Sequence, residues 1–245
     1  LLKELLEFID DIYALETKWS QRDPNSLFQF AYIHVVEPNV NYLYYLVLQC
    51  ALPQVLYTMR LVIETLMSSA YADIIAAMGM EPNPTLGVKL GNYASTFNMK
   101  NLVDPPSYLR DYYAQVMRRF EEPLGWFINE VGLGNGGVIN FVYLVYDRLS
   151  KLIHPVTMIN GKYAISGVVV DAILDYVRGA LPSSRHLYAP FECEETDDAL
   201  FSELDVSIKR VKLVLYLITY AWAVNTRLMG EEGLELIRRR VEDEI

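Results

Sequence analysis

Apolar residues recur at helical spacing along most of the chain. From Leu1 to Trp19 the positions Leu2, Leu5, Leu6, Ile9, Ile12, Tyr13 and Leu15 predict an amphipathic helix. A long helical run opens at Pro38 and closes near Gly79, since proline suits a first helical turn and glycine the residue after the last. Pro53 interrupts that run and predicts a kink or two successive helices. From Gln54 to Met78 nearly every face is apolar, which predicts a buried central helix. Ser107 is placed to cap a helix reaching about Glu121, with Tyr108, Leu109, Tyr112, Val116 and Phe120 inward. Further helices are predicted over Pro123 to Val131, Val138 to His154 and about Asp197 to Met229. Gly230 closes the last of these, and a charged helix follows from Gly233 to Glu244.

The connections are less regular. Arg22 to Ser26 is a turn around Asp23-Pro24-Asn25, and Leu27 to Val36 is a short apolar helix or loop. His34 within it reads as a structural or surface residue. Glu81 to Pro106 is rich in proline, glycine and asparagine and predicts a long irregular loop with a short extended piece. The run Gly132-Leu-Gly-Asn-Gly-Gly137 invites a phosphate-loop reading. No strand precedes it and no lysine follows it, so a helix C-cap with a linker is preferred. Met158 to Val170 fits a hairpin, and the segment from about Ser166 to Arg178 a helix. Leu181 to Pro190 is loop, carrying His186, and Glu192 to Asp198 is an acidic, solvated stretch. No repeat, low-complexity tract or domain boundary interrupts the pattern. The fold expected is all-α, a single-domain helical bundle with long loop insertions.

Composition changes this picture little. Of 245 residues, 52% are hydrophobic and 21% charged, as in an ordinary globular protein. The 18 tyrosines supply large contact surfaces with a polar edge. The net charge of −10 argues against broad, nonspecific nucleic-acid binding while leaving room for a local basic pocket. Arg118-Arg119, Lys209-Arg210-Lys212 and Arg238-Arg239-Arg240 are the basic clusters, read first as solvated helix faces. Cys50 fits a buried free thiol, and Cys193 sits among acidic residues that raise a thiol pKa. Two distant cysteines suggest a reducing interior. Nothing at the N-terminus resembles a signal peptide. Val211 to Val224 is shorter than the roughly 20 residues a bilayer needs. A soluble cytoplasmic chain with no membrane partner is expected.

Candidate chemistry concentrates in Val142 to Pro155. Tyr146, Ser150 and His154 are four apart and form one helical ridge, with Asp147 seven residues before His154. Pro155 ends the helix, which places His154 at a helix C-terminus. Serine in mid-helix has neither the exposure nor the oxyanion donors that an acyl-transfer nucleophile needs. Ser150 is better read as bonding back to the preceding turn. Asp147 and His154 supply too few ligands for a metal site, and no cofactor is implied. Arg148 and His154 fit phosphodiester chemistry: an imidazole titrating near neutrality moves a proton, and a guanidinium holds the phosphate. On the central helix, Arg60 and Glu64 form an i,i+4 pair. In so apolar a helix they must be paired or must serve a site.

Arg148-Leu-Ser-Lys-Leu-Ile-His154 resembles the Arg-x(4–6)-His motif of the HEPN superfamily. Tyr146-Asp-Arg-Leu-Ser-x3-His-Pro is similar to a Tyr-x2-Leu-Ser-x3-His pattern in related helical prokaryotic proteins, and Arg60-x3-Glu64 to an Arg/Glu helix found there. The resemblance implies a helical core over about residues 38–179, flanked by helices at 1–21 and 197–244. It also implies a homodimer formed through the motif helix and metal-independent endoribonuclease activity of a defence or toxin type. Arg148 and His154 would be the catalytic pair, with Asp147 and Glu64 orienting them and Tyr146, Ser150 and Arg60 in support. Arg148 and His154 face apart on one helix, because six residues turn it through roughly 600°, 120° short of two full turns. A composite site therefore needs a distorted helix end or a second protomer. The competing reading is a non-catalytic helical module for protein interaction or regulation. It is supported by Leu149, where active members usually carry a polar residue, and by the charge of −10. A small-molecule-binding bundle with a tyrosine-rich interior is a third reading.

Overall fold

The computed structural model describes residues 1–49, 51–79, 84–134, 136–153, 156–159, 162–165 and 198–245. The readings made for Cys50, His154, Pro155, His186, Cys193 and the helix over 166–178 fall outside these residues. The described chain is an all-α bundle with one short hairpin. Helix α1 (Leu2–Glu16) buries Leu5, Phe8, Ile12 and Leu15 together with Asp11. Leu2, Leu6 and Tyr13 are exposed, so the inward stripe is rotated from the expected one. Phe8 and Asp11 complete the i, i+3, i+7 face that meets the core.

Ser26 caps α2 (Leu27–Ala31), its hydroxyl accepting from the Gln29 N–H at 3.2 Å. A π-helical turn, Tyr32–Val36, runs straight into α3 (Glu37–Leu48), with Pro38 in its first turn. The chain breaks before α4 (Leu52–Ala77), which starts with Pro53 in its own first turn. Of the two outcomes expected at Pro53, successive helices form, because a first-turn proline forfeits no ladder bond. Gly79, at φ +68°, closes α4 as expected.

The stretch expected as irregular with an extended piece holds helical turns instead: α5 (Leu86–Val88), a π turn over Lys89–Ala94 and a 3₁₀ turn over Met99–Leu102. Side chains cap them, with Asn98 accepting from the Lys100 N–H at 2.9 Å. Buried Lys89, Met99 and Leu102 hold them to the core. Ser107 does not cap the next helix. It begins a 3₁₀ turn, Ser107–Leu109, ahead of α6 (Arg110–Glu121). The inward residues of α6 are Tyr113, Val116 and Phe120, and Tyr108 is fully on the surface. A 3₁₀ turn, Glu122–Leu124, joins it to α7 (Gly125–Glu130).

The glycine run after α7 is the helix C-cap that its context suggested. Gly132 sits at φ +68°, and the Leu133 N–H reaches the Ile128 carbonyl at 2.9 Å, a Schellman closure. Glu121 then accepts from the N–H groups of Gly136 (2.9 Å) and Ile139 (3.0 Å) at the start of α8 (Gly137–Ile153). Where a phosphate loop would place its anion, the chain supplies its own carboxylate. Strands β1 (Val156–Ile159) and β2 (Lys162–Ile165) pair antiparallel, with Val156 opposite Ile165.

Helix α9 (Asp198–Thr226) ends four residues before Gly230. Arg227 takes the left-handed position at φ +59°, and Met229 then pairs with Trp19 in an isolated bridge. Gly230 is instead the N-cap of α10 (Glu231–Glu242). Helices α4 and α9 lie side by side at the centre, with α3 and α8 against α4 and α10 against α9. Val62, Leu66, Met67 and Ile74 of α4 and Val211, Leu215, Ile218 and Trp222 of α9 are fully buried. Among the described residues no helix is long and apolar enough to cross a membrane.

A buried carboxylate organises the end of this core. Asp73 of α4 accepts from the Ser26 hydroxyl (2.6 Å), the N–H groups of Leu27 (3.0 Å) and Phe28 (3.1 Å) and the Trp222 indole (3.0 Å). The Lys89 ammonium completes the set at 2.7 Å and also donates to the Asn25 carbonyl at 2.6 Å. The Trp222 ring stacks on Phe28, with centroids 4.2 Å apart. The start of α2, the π turn at Lys89, α4 and α9 thus meet at one side chain.

The buried tyrosines make the fold sensitive to base. Burial, reinforced by the Asp11 carboxylate to which its hydroxyl bonds, holds the Tyr216 phenol far above its usual 10.0. Burial does the same to Tyr71, with Tyr112 and Tyr113 adding to it, and to Tyr32, near Glu16 and Asp11. A pKa raised by folding contributes stability that is complete below the unfolded value and is lost as pH rises beyond it. We expect stability to fall above pH 10, with a late tyrosinate absorbance step at 295 nm that coincides with loss of helical circular dichroism. Full tyrosinate absorbance in a still-helical chain would contradict this.

Candidate functional site

Helix α8 rests on α4, and the two sequence patterns singled out on these helices meet there. The Arg60 guanidinium lies over the Tyr146 ring, 5.1 Å from its centre, and donates to the Tyr146 hydroxyl at 2.9 Å. That hydroxyl donates in turn to Glu64 at 3.5 Å, and Glu64 stands 4.0 Å from Arg60. Arg60 is largely buried and Glu64 half-exposed. Among the described residues the arginine is therefore held by an aromatic face, a phenol oxygen and a neighbouring carboxylate. Arg60 and Glu64 form the pair their apolar helix requires, with Tyr146 closing it.

Ser150 donates to the Tyr146 carbonyl at 2.9 Å, the back-bond within the helix expected of it. Leu149 is buried in the core. Arg148 is exposed and Asp147 half-buried. Arg148 lies on the flank of α8 away from Tyr146, two residues turning a helix by about 200°, and Asp147 lies about 100° round from it. There they line an open cleft of about 490 Å³ with Phe141, Leu144 and Val145 of α8 and Arg210 of α9. The structure therefore separates the residues grouped in sequence. Arg60, Glu64 and Tyr146 are together on the α4 side, and Arg148 and Asp147 are together on the cleft side. His154 lies outside the described residues. Among the described residues no three His, Cys, Asp or Glu side chains converge as metal ligands would.

Arg210 was legible in the sequence only as part of a basic cluster. Its neighbours are tied into ion pairs, and Lys212 is buried rather than on the solvated face expected. Lys209 pairs with Asp205 at 3.2 Å, and Lys212, although buried, meets Glu244 at 2.5 Å and Glu4 at 3.4 Å. Arg240 pairs with the buried Asp11 at 2.8 Å, and Arg238 lies over Trp126 at 4.9 Å. Only the pairing of α8 with α9 singles out Arg210, and sequence spacing carries no signal for that.

The Tyr146 hydroxyl can be tested separately from its ring. Tyr146→Phe keeps the aromatic face under Arg60 and removes two hydrogen bonds, one to a charged donor. It is expected to cost about 1–2 kcal/mol, read as a lower urea midpoint. Tyr146→Ala, which also forfeits the cation–π contact and packing, should cost more. Equal costs for the two variants would mean that the hydroxyl, not the ring, holds Arg60. No family model, curated protein or solved structure matches this chain, so the geometry of α4, α8 and α9 carries the functional argument by itself.

Proposed function

We propose that the chain is a HEPN-like protein and a metal-independent endoribonuclease. In this reading Arg148 holds the scissile phosphate and His154 moves a proton at the 2′-hydroxyl or the leaving oxygen. Asp147 orients the pair from the same flank. The observation that carries the reading is the position of Arg148: exposed on α8, in a cleft large enough for a nucleotide that Arg210 of α9 also lines. The Arg60–Tyr146–Glu64 cluster supports the reading from the opposite flank, by fixing how α8 sits on α4. Because a six-residue step on a helix would turn Arg148 and His154 to different faces, the reading includes a homodimer in which each site takes Arg148 from one protomer and His154 from its partner. Leu144, exposed on the cleft flank of α8, gives that face an apolar contact for a second copy. RNA cleavage in EDTA by the wild-type chain, reduced in Arg148→Ala and His154→Ala, is the expected result. Absence of cleavage over a broad RNA panel, or cleavage indifferent to both substitutions, sinks the reading.

A non-catalytic interaction module is favoured by one other observation. Tyr42, Tyr45 and Leu48 of α3 and Tyr57 of α4 are more than half exposed, an aromatic surface that catalysis does not call for. Cleavage absent in wild type would leave this reading standing.

A further inference from the structure

Helix α1 carries an apolar stripe that the fold does not use. Leu2, Leu6, Ile9 and Tyr13 recur at i, i+4, i+7 and i+11, yet Leu2, Leu6 and Tyr13 are exposed and Ile9 is only half-buried. A second such stripe runs along α3, where Asn41, Tyr45 and Leu48 recur at i, i+4 and i+7 with Tyr42 beside them. The Asn41 amide donates to the Tyr13 hydroxyl at 2.8 Å, and α1 packs on α3, so the two stripes adjoin. Their leucines and tyrosines are between 39% and 59% exposed. With roughly 200 Å² for a whole side chain of this size, they leave on the order of 500 Å² of largely apolar surface in water. That is at the upper end of what a monomer normally shows.

The rim of this face is acidic. Asp10 borders the stripe on α1, and Glu37, one turn before Asn41, heads the stripe on α3. Among the described residues neither is in an ion pair. The cations near them in sequence are already engaged, Lys3 with Glu7 at 3.4 Å and Arg22 with Glu16 at 2.6 Å. Burial first, and then the carboxylates of Glu16, Asp11 and Glu37, raise the pKa of the Tyr32 phenol, so negative charge from both helices is felt at one place. A stable homodimer takes about 800 Å² from each partner, more than this face offers, and a second copy would bring the same acidic rim against it. An amphipathic helix along the seam of α1 and α3 can seat anchors at i, i+3, i+4 and i+7 and keep its charged side in water. Basic residues on its flanks would meet Asp10 and Glu37.

We propose that the face formed by α1 and α3 binds a helix of a partner protein, apolar on one side and basic along its flanks. This rests on the interaction-module reading of the aromatic surface of α3 and requires nothing of α8.

The test is fluorescence anisotropy with the full chain and a labelled peptide of about 18 residues, long enough to hold a helix, with leucine on one face and lysine on its flanks. The comparison peptide has glutamate at each lysine. Wild type should bind the lysine peptide at least about tenfold more tightly than the glutamate peptide. Leu6→Ser with Tyr45→Ser should weaken binding about tenfold or more. Asp10→Lys with Glu37→Lys should reverse the preference between the peptides. Asp104→Lys with Glu130→Lys, the same change of charge at exposed positions elsewhere, should alter affinity about twofold at most. Tyr108→Ser, which removes another exposed aromatic, should change nothing. Thermal melting checks that each variant folds, and if the serine pair unfolds the chain, Tyr45→Ser alone carries the same expectation. No binding at low salt, equal binding of the two peptides, or affinity indifferent to Leu6 and Tyr45 overturns the proposal. So does a dimer in sedimentation that the serine pair dissociates, because the occupant is then a second copy. Peptide binding through Tyr45 by a chain that also cleaves RNA would end the non-catalytic reading and leave this one. A chain that neither cleaves RNA nor binds the peptide through Tyr45 would do the reverse.

Discussion

Alanine at Asp73 is expected to lower the unfolding free energy by about 3–5 kcal/mol, a large share of the roughly 5–15 kcal/mol that holds a domain folded. The Asp73 side chain is almost wholly buried and gathers five donors, one of them the buried ammonium of Lys89. Removing it leaves a buried cation facing no anion and leaves the first N–H groups of α2 without their acceptor. Lys89→Met should cost less, about 2 kcal/mol, because the carboxylate keeps its four neutral donors. The double variant Asp73→Leu, Lys89→Met separates two accounts of the site. An isolated buried ion pair can be exchanged for apolar residues at little cost. Here Ser26, Leu27, Phe28 and Trp222 would still lack an acceptor, so the double variant should stay close to Asp73→Ala in urea unfolding. Recovery to wild-type stability would show that the ion pair, not the cap and the indole bond, is what Asp73 contributes.

Asp73 also shows what a one-dimensional pattern can carry. A carboxylate on a helix apolar nearly all round must find partners, and that much is visible from its neighbours on α4. Its partners are not. Lys89 sits in a proline- and glycine-rich stretch that reads as irregular loop, and only the helical turn at Lys89–Ala94 carries its ammonium inward. The same division holds elsewhere. Apolar periodicity places α4 and α9, because a helix buried on most faces has an unmistakable composition. It misplaces the inward stripe of α1, where Leu6 and Tyr13 are apolar but exposed and Asp11 is polar but buried. Asp11 is buried because Tyr216 and Arg240, more than 200 residues on, satisfy it. Glycine marks the ends of α4 and α7 correctly, yet α9 ends at Thr226 because Arg227 accepts the left-handed conformation that glycine usually takes. In the site, spacing joins Tyr146, Ser150 and the helix end, and the Arg60–Glu64 pair, within single helices. The contact between Tyr146 and Arg60, and the cleft shared by Arg148 and Arg210, belong to helix packing and have no local signature.

Arg148→Ala and His154→Ala are each expected to reduce RNA cleavage in EDTA by roughly 10²–10⁴-fold, the usual contribution of a positioned proton-transfer group or its phosphate-holding partner. Single variants cannot tell whether the two residues act within one protomer or between two, but a mixture can. In a two-fold homodimer whose sites each draw Arg148 from one protomer and His154 from its partner, half the dimers in an equal mixture of the two variants are mixed. One site of each mixed dimer then keeps both native residues, so an equilibrated mixture should recover about a quarter of wild-type activity. If both residues act in the same protomer, every protomer in the mixture is defective and nothing is recovered. Subunit exchange is the control, followed by light scattering and by energy transfer between differently labelled chains. A chain that remains monomeric at assay concentration yet cleaves RNA would rule out the composite site, and catalysis would then need Arg148 and His154 to meet around the end of a single helix. Recovery near a quarter would place the chemistry on the cleft flank of α8, across from the cluster of Tyr146, Arg60 and Glu64 that holds this helix against α4.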